Sequence, residues 1–184
     1  MNSMHVTRFY NYTGTLLVAG LLLASCAPQN PPASGNPAST GTASSQAAMM
    51  QPEHIFMKGA DVVWKDAPAI LPAGAKIAVL EGDPAKPGEF TLRLQFPANY
   101  KIAPHFHPAN EHVTVLSGIF SIGKGDTFDE SALNELPTGG FAMMRAGMQH
   151  FAWTKDGAVI QLHGVGPWGL TYVNPADDPR NAIK

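Results

Sequence analysis

Downstream of residue 75 the apolar and polar positions alternate with the period of a strand rather than a helix. Phe90-Thr91-Leu92-Arg93-Leu94-Gln95-Phe96 alternates strictly, which puts Phe90, Leu92, Leu94 and Phe96 on one face. Lys76-Ile77-Ala78-Val79-Leu80-Glu81 is a short run of strand character that ends at Gly82-Asp83-Pro84, and Pro87-Gly88 marks a further turn. Ile119-Phe120-Ser121-Ile122 is expected to pair after a turn at Ser117-Gly118. Ala158-Val159-Ile160-Gln161-Leu162-His163 follows a Lys155-Asp156-Gly157 turn. One departure from β is predicted. Thr127-Phe128-Asp129-Glu130 has the form of a capping box and predicts a short helix through Leu136, stopped by Pro137. Short strands at this spacing argue a small antiparallel barrel.

The N-terminal 52 residues have a different pattern. Residues 1–25 carry Arg8, then the apolar run Thr15-Leu16-Leu17-Val18-Ala19-Gly20-Leu21-Leu22-Leu23, which is too short to span a bilayer and has signal-peptide proportions. Leu23-Ala24-Ser25-Cys26 resembles the bacterial lipobox, whose cysteine becomes the lipidated first residue; ordinary cleavage at a small-residue site, with Cys26 incidental, is the alternative. Ala27 after the cysteine resembles the pattern sent to the outer membrane. The expectation is an exported lipoprotein on the periplasmic face. Residues 26–52, mostly Pro, Ala, Ser, Gly and Thr without charge or aromatics, cannot offset the entropy of ordering. They read as a tether holding the rest roughly 25–30 Å from its anchor. Residues 53–184 remain as one domain. Cys26 is the only cysteine, so a disulfide framework is excluded, and any metal must be held through nitrogen and oxygen. Twelve basic against 14 acidic residues, with no basic patch, make nucleic acid an unsuitable partner.

The candidate chemistry is concentrated in His105-Phe106-His107-Pro108-Ala109-Asn110-Glu111. On a strand, residues i and i+2 project from one face roughly 6–7 Å apart, so two imidazoles can lean onto one point. Pro108-Ala109-Asn110 reads as a bend. Glu111 then opens the next strand, sharing a face with Val113 and Val115. Three convergent N/O donors on rigid strands point to a metal. His150 is a fourth available donor, after a tight turn at Ala146-Gly147. His112 follows Glu111 directly and is expected to face away; it and His54 read as ordinary structural histidines. Met143, Met144 and Met148 are better explained by core packing than by copper.

Taken together the two stretches resemble the paired motifs of the cupin superfamily. The pattern G-x5-H-x-H-x3,4-E-x6-G is met by His105, His107, Glu111 and Gly118, with Asn99 where the first glycine is expected. The pattern G-x5-P-x-G-x2-H-x3-N is met by Gly139, Gly147 and His150, with Arg145 for the proline and Thr154 for the asparagine. The resemblance implies an all-β, double-stranded β-helix (jelly-roll) barrel with the metal inside and the short helix between the two motifs. It makes His105, His107, Glu111 and His150 the ligands of one divalent transition metal, with Fe, Mn, Zn, Ni and Cu all compatible. Homodimers through strand edges are common in such folds.

Gln161 and His163 share one strand face and would line the cavity, as groups behind the ligands or in contact with substrate, if that face is interior. Alternatively Ile160 and Leu162 fill the core and the polar pair faces solvent. Two functions stay open. One is a metal-dependent enzyme, oxygenase-like or isomerase-like, acting on a small oxygenated molecule; the other is a non-catalytic module that binds or senses a small ligand through its metal. The discriminator is a further acid–base group in the cavity, for which His163, Arg145 and Tyr172 are the candidates.

Overall fold

A computed structural model describes residues 54–181, so Cys26, the leader and the tether lie outside the described residues. Ten strands follow in chain order: β1 (Lys65–Asp66), β2 (Lys76–Glu81), β3 (Gly88–Phe96), β4 (Tyr100–Phe106), β5 (Glu111–Lys124), β6 (Asn134–Pro137), β7 (Phe141–Met144), β8 (His150–Thr154), β9 (Ala158–Gly166) and β10 (Thr171–Tyr172). All the pairings are antiparallel, and the strand order β1-β2-β3-β9-β5-β8-β4-β10 curls into a jelly-roll barrel, with β6 and β7 also on β5.

β5 is the element that closes the barrel. Its first half pairs with β9 and β7, and its second half with β8 and β6. The turn expected at Ser117-Gly118 is therefore a bend within one fourteen-residue strand. The register against β9 slips between Val115 and Ser117, and Gly118 takes φ 76°. A bulge of this kind lets a strand leave one sheet and join the facing one without a chain reversal.

The alternation read in β3 is the alternation observed. Phe90, Leu92, Leu94 and Phe96 are all buried, and Leu162 and Ile160 of β9, then Val113 and Val115 of β5, continue the same apolar face across the sheet. Two buried tyrosines tie the Ile70–Pro72 segment to the barrel, Tyr100 donating to the carbonyl of Pro72 at 2.5 Å and Tyr172 to that of Ile70 at 2.8 Å.

The helix expected from Thr127 to Leu136 does not form. Only one 3-10 turn occurs, Glu130–Ala132, and its cap is Asp129, which accepts from Ser131 N. The following residues become β6, paired from Asn134 to Pro137 with Ile122 to Ile119 of β5. A cap signal stabilises a helix by about 1 kcal/mol. A four-residue ladder against an existing strand outweighs it.

Candidate metal centre

Three strands meet at one end of the barrel and deliver four buried polar groups there. His105 lies near the end of β4 and His107 just past it, Glu111 opens β5, and His150 opens β8. His105 and His150 are direct cross-strand partners. The bend after β4 is held by Gly147 N donating to the carbonyl of His107 at 2.8 Å and Ala146 N donating to Oδ1 of Asn110 at 3.0 Å. The two motif turns are thus bonded to each other, which fixes the histidines of both.

The exposures of His105, His107, Glu111 and His150 are only 3, 2, 6 and 3 %. Imidazole centroids lie 4.2 Å apart for His105–His150, 5.0 Å for His105–His107 and 5.2 Å for His107–His150. One ligand atom from each ring falls within 4.8 Å of those of the other two. Glu111 Oε2 sits 3.4 Å from Nε2 of His107 and 3.2 Å from Nε2 of His150.

The backbone sets the tautomers. Nδ1 of His105 faces the carbonyl of Ala103 at 2.7 Å, that of His107 the carbonyl of Gly169 at 2.7 Å, and that of His150 the carbonyl of Met148 at 3.0 Å. A carbonyl only accepts, so each Nδ1 carries a proton, which leaves Nε2 as the atom each ring can offer to a metal. Burial, followed by the neighbouring His150 and His107, lowers the His105 pKa to about 3, which keeps that ring neutral. Burial pushes the Glu111 carboxyl up, but the His107 and His150 imidazoles beside it outweigh that and leave its pKa at about 2. Nε2 of His107 is buried with no hydrogen-bond partner. Lone pairs and a carboxylate converging in an apolar interior are costly unless a cation joins them, so the donor set fits a divalent transition metal.

Trp168 was not among the residues singled out from sequence. It lies parallel to His107 with centroids 4.2 Å apart, and the adjoining Gly169 carbonyl is the one that orients that ring. The available signal was a tryptophan inside the Gly-Pro-rich stretch Gly164–Gly169, since so large a ring must bury somewhere.

Other candidates are placed elsewhere. Ile160 and Leu162 take the interior of β9, so Gln161 and His163 point outward, away from the centre. There Gln161 accepts from Arg93 Nε at 3.1 Å, and His163 stacks on His112 with centroids 4.7 Å apart. The cavity role expected of that pair is corrected by the pairing of Leu162 with Leu92 and Ile160 with Leu94, which commits the apolar set of both strands to one face. His112 faces away from the centre as expected, and His54 is exposed. Of the three methionines only Met144 is in the core; Met143 and Met148 are each 42 % exposed. Arg145 is exposed too. The Tyr172 phenol, pushed up to about 12 by burial and then by Asp178 and Asp177, stays protonated and committed to Ile70.

The departures from the motif are also explained at two positions. Asn99 adopts φ 56°, the left-handed region in which a glycine would be at ease and asparagine is tolerated. Arg145 closes the turn through its carbonyl, which accepts from Met148 N at 3.0 Å.

Residues 52–166 match the family model described as the ChrR cupin-like domain. Comparison with the curated proteins returns no match. Among solved structures the chain is similar to the polyketide cyclase RemF from Streptomyces resistomycificus, at 16% identity and TM-score 0.57, covering 67% of this chain and 88% of that one. It is similar to a candidate acetylacetone dioxygenase from Methylibium petroleiphilum PM1, at 20% identity and TM-score 0.54, covering 69% of this chain and 85% of that one. The anti-sigma factor ChrR of Rhodobacter sphaeroides, solved in complex with SigE, matches at 16% identity and TM-score 0.43, over 58% of this chain and 50% of that one. Identities this low bear on the fold alone. With the family match spanning more than half of its length, the chain belongs to the ChrR cupin-like domain family of the cupin superfamily.

Proposed function

We propose that this chain is an exported, metal-dependent cupin enzyme, oxygenase-like, that acts on a small oxygenated molecule. The observation that carries the reading is the convergence of three Nε2 lone pairs, each fixed by a backbone carbonyl, beside Glu111 and next to an interior cavity. When bound, a divalent transition ion supplies Lewis-acid polarisation of a substrate oxygen and, for iron, manganese or copper, one-electron chemistry with dioxygen. The chain's own residues hold and orient. His105, His107, His150 and Glu111 would be the ligands, Trp168 covers one ring face, and the apolar wall excludes water. Among the described residues, none besides those four offers the cavity an acid–base side chain, which supports oxygenase-like over isomerase-like chemistry.

The same absence favours a second reading, a metal-dependent module that binds or senses a small ligand without turnover. The two separate on an oxygen electrode. Protein loaded with Fe(II) and supplied with an enolisable β-dicarbonyl is expected to consume oxygen saturably, and to stop when a chelator removes the metal. Saturable binding of such compounds with no turnover under any of the five metals would replace the enzyme reading by the sensing one.

The anchor is part of the proposal. The Leu23-Ala24-Ser25-Cys26 sequence supports lipidation at Cys26 and residence on the periplasmic face, with the outer membrane favoured by Ala27. Cells fed radiolabelled palmitate should label the native chain and not a Cys26→Ala variant. Equal labelling of both would remove the anchor.

A further inference from the structure

The interior cavity, about 190 Å³, is polar at one pole only. His105, His107, Glu111 and His150 form that pole, and Trp168 lies against it through its stack on His107. Every other lining side chain is aliphatic, aromatic, thioether, proline or glycine. None is a lysine, arginine, hydroxyl or amide. Strand parity accounts for this. Two residues inward from Glu111 stands Val113, and two inward from His150 stands Ala152, so the layer behind the metal ligands is apolar on each strand. Beyond it the cavity is closed by Phe96 and Phe120, stacked with centroids 5.4 Å apart.

We infer that the centre takes a small molecule that meets the metal through oxygen at one end and carries an uncharged, apolar remainder that fills the barrel behind the metal. The inference rests on the metal reading and adds the ligand's chemical class to it. A carboxylate, phosphate or polyhydroxylated tail would be buried against Ile122, Leu94 and Phe96 with nothing to pair with. The size is bounded as well. A cavity of roughly 150 Å³ holds benzene, so this one holds on the order of ten non-hydrogen atoms.

The test needs no turnover. Detergent-solubilised full-length protein is loaded with Zn(II), which is redox-inactive, and titrated calorimetrically with catechol and with 3,4-dihydroxybenzoate. The two share the oxygen pair and differ by a carboxylate on the far side of the ring. Catechol is expected to bind once per chain and only to the metal-loaded form, with 3,4-dihydroxybenzoate about 30-fold weaker or worse. Zinc retained with the acid bound as tightly as catechol, or with neither bound, would overturn the ligand class and leave the metal reading standing. No zinc and no catechol would overturn both.

Discussion

A His105→Ala/His107→Ala variant is expected to emerge from purification without metal, where the native chain carries about one divalent transition ion. Each substitution deletes an Nε2 lone pair whose orientation the Ala103 or Gly169 carbonyl had fixed. His150 and Glu111 then remain as two donors, and affinity should fall at least a hundredfold, since loss of a supporting group alone costs roughly 10–100-fold. A stability readout separates this from unfolding. At a free metal concentration near 1,000 times the dissociation constant the native fold gains about 4 kcal/mol, which a thermal melt registers as a large upward shift. The variant should keep its far-UV circular dichroism and show no shift. A variant that still binds one ion tightly would refute the ligand assignment. A native protein that takes up none of Fe, Mn, Ni, Zn or Cu would make the histidines a hydrogen-bonding cluster for an organic ligand instead.

Gly118→Ala should be strongly destabilising although it removes no side chain, at about 2–5 kcal/mol. Gly118 is the last position of the first motif, and two separate costs coincide there. Its φ of 76° disfavours any L side chain by roughly 1–2 kcal/mol. A Cβ at that position would also lie 2.3 Å from the carbonyl oxygen of Gly157, a backbone atom that can move only if the β5–β9 pairing at Gly118 and Ala158 yields. Gly147, from the second motif, supplies the control. Its φ is 75°, yet a Cβ there meets nothing within 4 Å. Gly147→Ala is therefore expected to cost only about 1 kcal/mol. The difference between the two urea midpoints, at unchanged slope, measures the clash on its own. Equal midpoints would show that β5 absorbs the methyl group and that the bend at Gly118 is not what joins the two sheets.

What the residues determined alone is what depends on neighbours a few positions away. Strand parity over Phe90–Phe96 and the spacing from His105 to Glu111 are local, so one buried face and three donors on one side could be read directly. The motif spacing brought His150 and the barrel with them. Where a local signal competed with a distant partner, tertiary structure decided. The capping box at Thr127–Glu130 gave way to β6, because β5 was already there to pair with it. Alternation in β9 defined two sets, Ile160 with Leu162 and Gln161 with His163. Only the pairing of Leu92 with Leu162 and Leu94 with Ile160 determined that the polar set faces outward. Trp168 reaches His107 across sixty residues of chain, and the apolar cavity behind the ligands is assembled from strands on both sides of the barrel. No window of sequence contains such contacts, because they exist only when burying several strands' apolar faces together offsets the entropy of closing the loops between them.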